Sequence, residues 1–182
     1  GLERKVALIT GGNGGIGKVI ARGLASAGAD VVIAARNEPK TARAVEEIAS
    51  AFGVRCLGLR VDVCRETEVK SMVARTHEAF GGPDIFVSNA GMAIHRSPEE
   101  MSLEEWDRNI QTNLRSFFMG AQAVFPFMKE AGGGKIISIG SMYTLFGSEA
   151  LPAYGASKGG IVQLTKSLAV AWAPYNIQVN SI

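Results

Sequence analysis

Two residues that could move protons, Tyr154 and Lys158, lie four positions apart in a segment with apolar residues at helical spacing. Residues four apart share one face of an α-helix, so we expect the phenol and the ammonium to be neighbours. A fixed positive charge stabilises a phenolate and brings the pKa of a phenol towards neutrality. The pair therefore predicts a general acid and base, Tyr154, assisted by Lys158. The alternative is a tyrosine and a lysine that simply share a helix surface.

A second chemically informative stretch is rich in glycine and follows a short apolar run that starts at Val6. Residues 11–17 read Gly-Gly-Asn-Gly-Gly-Ile-Gly and lead into a helical pattern. Glycines allow a pyrophosphate to approach the backbone, and the following helix N-terminus offers free N–H groups and a partial positive charge. The order of strand, turn and helix predicts that this turn binds the phosphates of a dinucleotide.

The end of the second predicted strand is where a dinucleotide-binding domain contacts the adenosine ribose. An acidic residue at this place suits NAD, but this chain has Ala34-Ala35-Arg36-Asn37 there. The guanidinium of Arg36 has a fork of donors that suits a 2′-phosphate, so the sequence favours NADP. NAD remains possible if Arg36 is only a solvated residue at a strand end.

The elements that must position these residues alternate between strand and helix along the whole chain. Strands are predicted at residues 6–10, 30–35, 55–63, 85–87, 135–139 and 177–182, and helices at 16–27, 40–52, 66–80, 103–129 and 154–173. The first helix has Ile16 and Val19 in its apolar stripe. Ser102 and Glu105 form a capping-box signature before the fourth helix, and Pro126 is expected to kink or split it. The pattern predicts an α/β fold, with a six-stranded, doubly wound parallel sheet of Rossmann-type topology.

The composition argues against several other classes of protein. The 182 residues are 47% hydrophobic and 20% charged, with a net charge of +2, which suits one globular domain and does not favour binding to nucleic acid. No apolar run approaches the ~18 residues of a membrane span, and no signal-peptide pattern is present, so a cytoplasmic protein is expected. Cys56 and Cys64 cannot build a four-ligand zinc site, so we expect free thiols and no metal.

Five motifs in order resemble the short-chain dehydrogenase/reductase family: the glycine turn, Asn89-Ala90-Gly91, Asn113, Ser141 and Tyr154-x-x-x-Lys158. The resemblance runs from residue 5 to the end of the chain and implies an oxidoreductase acting on a carbonyl or secondary alcohol. It implies that Tyr154 is the general acid or base and that Lys158 holds the nicotinamide ribose. It also implies that Ser141 hydrogen-bonds the substrate oxygen and that Asn113 holds a water in a proton relay. A loop hydroxyl and a helix-surface amide are the respective alternatives.

The same resemblance assigns a set of residues to the nicotinamide cofactor. Asp62, at the end of the third strand, would hydrogen-bond adenine with Val63 beside it, unless it is only a capping carboxylate. Asn89 would also tie two strands together. The full expected set is Gly11, Asn13, Gly15, Ile16, Gly17, Arg36, Asp62, Val63, Asn89, Ala90, Gly91, Tyr154 and Lys158.

The resemblance further implies a small-molecule substrate and self-association. The sequence around Ser141 is similar to sugar-acid dehydrogenases, such as gluconate 5-dehydrogenases, and to 3-oxoacyl-carrier-protein reductases. Met142 and Leu145 would line a substrate pocket or pack in the core. Family members dimerise through the helices that contain Asn113 and Tyr154, so a homodimer or homotetramer is expected. A non-catalytic nucleotide-binding relative or a structural relative is the alternative.

The resemblance also implies that the chain is part of a longer protein. Family members continue beyond the equivalent of Ile182 into a Pro-Gly turn, a substrate-covering loop and a seventh strand. We therefore expect residues 1–182 to form a single dinucleotide-binding domain that is truncated at its C-terminus, and we expect these residues alone to lack full activity.

Overall fold

The protein, described over all of residues 1–182 by a computed structural model, is built on one six-stranded sheet. All neighbouring strands are parallel, and their order across the sheet is β3-β2-β1-β4-β5-β6. This arrangement confirms the predicted doubly wound α/β fold. The strands are β1 Val6–Thr10, β2 Asp30–Ala35, β3 Cys56–Arg60, β4 Ile85–Ser88, β5 Gly134–Ser138 and β6 Ile177–Ser181.

Six α-helices connect the strands, and none is both long enough and apolar enough to cross a bilayer. Their bounds are α1 Gly15–Ser26, α2 Glu38–Phe52, α3 Glu66–Phe80, α4 Leu103–Ile110, α5 Ser116–Glu130 and α6 Pro152–Trp172. The third strand was predicted to reach residue 63, but it ends at Arg60. The chain turns soon afterwards, where the Arg65 N–H donates to the carbonyl oxygen of Asp62 at 3.0 Å. Asp62 therefore lies in a loop rather than in a strand.

The fourth predicted helix begins as expected but is divided at a different place. Ser102 Oγ accepts a hydrogen bond from the Glu105 N–H, and the Ser102 N–H donates to Glu105 Oε2, each at 3.1 Å, which confirms the capping box. A π-helical turn, Gln111–Arg115, separates α4 from α5. The expected split at Pro126 is absent, because α5 continues through that residue to Glu130.

The sheet separates two apolar cores, because successive residues of a strand point to opposite faces. Leu8 packs in the core that α3, α5 and α6 cover, whereas Ile9 packs in the core under α1 and α2. The predicted stripe of α1 is partly wrong, since the side chains of Ile16 and Val19 are 64% and 70% exposed. The buried face of α1 instead consists of the small residues Gly17, Ala21 and Ala25, which allow a close approach to the sheet.

Candidate active site

The glycine turn between β1 and α1 lies at the carboxyl edge of the sheet. Gly11 and Gly15 have φ values of +66° and +51°, in the left-handed region that glycine adopts without a steric penalty. No side chain caps the N-terminus of α1. The N–H groups of its first turn therefore remain available to an anion.

Gly17 is closely packed against Asn89 and the backbone of Gly11. A Cβ on Gly17 would lie inside the van der Waals radii of Asn89 Nδ2 and of the Gly11 carbonyl. Asn89 Nδ2 donates to the carbonyl oxygens of Thr10 at 2.9 Å and Gly11 at 3.2 Å. Thr10 Oγ1 in turn accepts from the backbone N–H groups of Asn89 and Ala90, each at 3.1 Å. The strand tie expected of Asn89 is thus present, and it depends on the absence of a side chain at position 17.

A cleft of about 630 Å³ opens along this edge of the sheet, a volume within the usual range of small-molecule sites. Four residues expected to bind cofactor do not line it: Ile16 and Gly17 of the glycine turn, and Tyr154 and Lys158 on α6. Ile16 points to solvent, and Gly17 is buried beneath Asn89. The lining includes the other expected residues from the glycine turn and the strand ends: Gly11, Asn13, Gly15, Arg36, Asp62, Val63, Asn89, Ala90 and Gly91.

The charged side chains that line the cleft are mostly basic. Arg36, Lys40 and Arg108 carry positive charge, and Asp62 is the one carboxylate among the lining residues. Sequence reasoning missed Lys40, although it stands four positions after Arg36 at the start of α2. A Cβ on Gly14 would lie 2.9 Å from Lys40 Cε, so the lysine side chain lies directly against the glycine turn. Arg108 was missed because no sequence signal shows that α4 reaches the cleft.

The polar residues around the glycine turn hold it to α2. Asn13 Nδ2 donates to Thr41 Oγ1 at 3.0 Å, and Asn37 Oδ1 accepts from the Lys40 N–H at 2.9 Å, which caps α2. Asn13 therefore lines the cleft and also fixes the turn against the helix that carries Lys40.

Asp62 has local partners as well as a place in the cleft. Its Oδ1 accepts from the Cys64 N–H at 3.0 Å, and its Oδ2 lies 3.9 Å from Arg65 Nε. The buried Val63 lies between Asp62 and Cys64 in this loop. The carboxylate thus stabilises the turn after β3 while remaining on the wall of the cleft.

Lys158 and Tyr154 are neighbours on α6, and the lysine is buried. Lys158 Nζ lies 5.4 Å from the centre of the Tyr154 ring, and the lysine is only 6% exposed. The ammonium donates to the carbonyl oxygen of Ile139 at 2.6 Å, just beyond β5. Burial lowers the pKa of Lys158. These facts exclude the interpretation of a helix-surface pair, and two N–H bonds of the ammonium remain for other partners.

Ser141 follows β5 and begins a short 3₁₀ turn. Its Oγ accepts from the Tyr143 N–H at 3.2 Å, so the hydroxyl proton remains free to donate. The Tyr143 ring meets the Tyr154 ring edge-on, with the centroids 6.1 Å apart, which joins this turn to α6. Met142 and Leu145 are 64% and 83% exposed, so the alternative of core packing is wrong for both.

Asn113 lies in the π-helical turn and is 2% exposed, which excludes a helix-surface amide. Its Nδ2 donates to the carbonyl oxygen of Met92 and to Ser157 Oγ, each at 2.9 Å. Its Oδ1 accepts from the Met92 N–H at 2.8 Å. Both amide N–H bonds are therefore engaged within the protein, so Asn113 could hold the water of the expected relay only through an acceptor oxygen. Sequence reasoning missed Met92 and Ser157, although Ser157 directly precedes Lys158.

The four expected catalytic residues lie outside the lining of the cleft, at its β5 side. Asn113 connects the two regions through the segment 89–92 after β4, called the β4 loop below. The site thus combines a basic cleft lined partly by glycines with a buried lysine, a tyrosine and a serine whose hydroxyl proton is free to donate.

The sequence and the fold of this chain are similar to those of known dehydrogenases. Residues 5–182 match the sequence model of the short chain dehydrogenase family. A D-beta-hydroxybutyrate dehydrogenase from Rhizobium meliloti (strain 1021) is 40% identical over 179 residues, covering 98% of this chain and 69% of the relative. A 2-dehydro-3-deoxy-D-gluconate 5-dehydrogenase from Escherichia coli (strain K12) is 38% identical over 182 residues, covering 100% and 71%. The crystal structure of a short-chain type dehydrogenase/reductase from Mycobacterium marinum has a TM-score of 0.94 and 39% identity, covering 99% of this chain and 74% of that one.

Proposed function

Because this chain belongs to the short-chain dehydrogenase/reductase family of NAD(P)-dependent oxidoreductases, we propose that it transfers a hydride between NADP(H) and a carbonyl or secondary alcohol. The observation that carries the proposal is the buried Lys158 ammonium beside the Tyr154 ring. A charged lysine is costly to bury. Its position beside a phenol allows it to stabilise the phenolate form of that phenol.

The cleft has the features that a dinucleotide requires. The left-handed Gly11 and Gly15 and the uncapped start of α1 suit a pyrophosphate. Asp62 and Val63, which also line the cleft, suit the adenine. When bound, the cofactor supplies or accepts the hydride, and the protein contributes binding, orientation and proton transfer.

The proton steps belong to residues of α6 and of the turn after β5. In carbonyl reduction, Tyr154 donates its phenolic proton to the substrate oxygen, and the free hydroxyl of Ser141 donates a hydrogen bond to the same atom. The Lys158 ammonium, fixed by Ile139, stabilises the phenolate that remains. In alcohol oxidation the same groups work in the opposite direction.

The test of this chemistry is Tyr154→Phe in the full-length polypeptide. The variant keeps the ring and loses the proton donor, so turnover with a carbonyl substrate should fall by about 10²-fold or more, while NADPH binding measured by fluorescence stays close to wild type. Near wild-type turnover across pH would contradict the proposal. A wild-type protein that binds NADPH but reduces no carbonyl in a broad panel would instead be a non-catalytic nucleotide-binding relative.

The preference for NADP over NAD rests on the basic wall of the cleft. Arg36 and Lys40 both line it near the start of α2, and no carboxylate stands at the end of β2. Arg36→Ala and Lys40→Ala should each raise KM for NADPH by about tenfold and leave KM for NADH nearly unchanged. Arg43→Ala is the matched control, because Arg43 is on the same helix and exposed but does not line the cleft. If the ratio of KM for NADPH to KM for NADH were unchanged in both cleft variants, the proposed preference for NADP would be wrong.

For the substrate, we propose a small oxo or hydroxy acid of the sugar-acid class, with a 3-oxoacyl compound as the alternative. Two of the relatives reported above are named for hydroxybutyrate and for 2-dehydro-3-deoxy-D-gluconate. A panel of sugar acids, short hydroxy acids and 3-oxoacyl thioesters would rank the two classes by kcat/KM.

We also propose a homodimer or homotetramer formed through α4, α5 and α6. Trp106, Phe118 and Val170 on these helices are 37%, 43% and 79% exposed, although each is large and apolar. Burial of such side chains favours a second copy of the same chain. Sedimentation at micromolar concentration should show the oligomer, and Val170→Asp should shift it towards monomer, whereas a wild-type monomer would contradict the proposal.

A further inference from the structure

Ser157 is a buried polar residue that the proposed reaction does not use. It directly precedes Lys158 on α6, and its side chain has no exposure to solvent. Its Oγ donates to the carbonyl oxygen of Tyr154 at 2.7 Å and accepts from Asn113 Nδ2 at 2.9 Å. The hydroxyl therefore links the turn of α6 that carries Tyr154 to the π-helical turn.

The link continues from Asn113 to the wall of the cofactor cleft. The Asn113 amide exchanges two hydrogen bonds with the backbone of Met92, the last residue of the β4 loop. The opposite end of the β4 loop is held by Thr10 Oγ1, which accepts two of its backbone N–H groups. The β4 loop is thus anchored at both ends, and the Asn113–Ser157 bond joins it to the helix that carries Tyr154 and Lys158.

We infer that Ser157 is a positioning residue that keeps α6 in a fixed relation to the β4 loop. The inference rests on the proposed function, because it concerns how the proton donor is held against the cofactor side of the site. Without the hydroxyl, one buried N–H of Asn113 has no acceptor, and the turn of Tyr154 is no longer bonded to it. Tyr154 and the cleft wall can then move independently, so both the chemical step and cofactor binding suffer.

The first test compares two buried hydroxyls on the same helix in the full-length polypeptide. Ser157→Ala should lower kcat and raise KM for the cofactor, each by about tenfold, as expected for the loss of the two buried hydrogen bonds of this hydroxyl. Thr165→Ala is the matched control. Thr165 is 6% exposed, its Oγ1 lies 3.1 Å from Ser138 Oγ, and it stands seven positions after Lys158 on α6, without a hydrogen bond to Asn113 or to the β4 loop. The control should lose comparable stability in urea but keep both kinetic constants.

The second test needs no turnover, so it separates this inference from the proposed function. The Met92 amide donates to Asn113 Oδ1, and Ser157→Ala should increase its hydrogen-exchange rate at least fivefold, whereas Thr165→Ala should not. If the wild-type protein reduces no carbonyl, the proposed function fails, and the exchange rate still decides the role of Ser157. Unchanged exchange at Met92, or kinetic constants within twofold of wild type, would each overturn the inference.

Discussion

Replacement of Gly17 by alanine should damage both the stability of the fold and the cofactor cleft. The new Cβ would lie 2.9 Å from the Gly11 carbonyl carbon and still closer to Asn89 Nδ2. Overpacking of this kind costs about 1–3 kcal/mol. Displacement of Asn89 also weakens its two hydrogen bonds, at about 1 kcal/mol each. Alanine gains about 1 kcal/mol over glycine within a helix, so the expected net loss is about 2–4 kcal/mol.

The assay for Gly17→Ala is urea unfolding followed by circular dichroism, with NADPH affinity measured on the folded protein. Gly23→Ala is the matched control on the same helix, because a Cβ there meets no neighbouring atom. The control should gain about 0.5–1 kcal/mol from helix propensity. Cofactor affinity should fall about tenfold in Gly17→Ala only, since displacement of the glycine turn by a few tenths of an ångström removes aligned N–H donors. Equal stability of the two variants within about 0.5 kcal/mol would refute the packing argument.

Three further predictions concern the core and the anchors of the site. Burial lowers the pKa of Lys158, so the charged lysine destabilises the folded state. This loss of stability is fully present below the lowered pKa and decreases as pH rises towards the ordinary lysine pKa. In urea unfolding measured at a series of pH values, wild type should therefore gain stability relative to Lys158→Met between these two pKa values, and a constant difference would contradict the burial argument. Gly120→Ala, whose Cβ would lie 2.8 Å from Phe86 Cε1, should lose about 1–3 kcal/mol in the same assay, whereas unchanged stability would show that the Phe86 ring moves freely. Thr10→Val leaves two N–H groups of the β4 loop without their acceptor, so the free energy of unfolding should fall by about 2–4 kcal/mol. Unchanged amide hydrogen exchange in the β4 loop would contradict this prediction.

Features set by neighbours in the sequence were predicted well. The bounds of α3, the capping box at Ser102 and the pairing of Tyr154 with Lys158 depend on spacings of three or four residues. The alternation of strand and helix likewise predicted the parallel sheet. These signals are local, so a single sequence contains them.

Features set by the crossing of separate elements were not predictable in the same way. Ile16 fits a helical stripe, but α1 turns its small residues to the sheet because Gly17 must fit beneath Asn89. Lys40 and Arg108 reach the cleft from two different helices, and nothing in their local sequence indicates it. The bond between Asn113 and Ser157 spans 44 positions, and only the folded chain brings these residues together.

The π-helical turn Gln111–Arg115 sets the angular phase between the two α-helices that it joins. An α-helix advances about 100° per residue, so deletion of one residue from this turn would rotate α4 by about that angle relative to α5. Arg108 would leave the cleft and the buried Asn109 would turn towards solvent, while the side chains of α5 stayed in place. The length of this segment, independent of its chemistry, therefore decides which face of α4 lines the cleft. Homologous chains that differ by one residue here would present a different set of side chains to the same cleft.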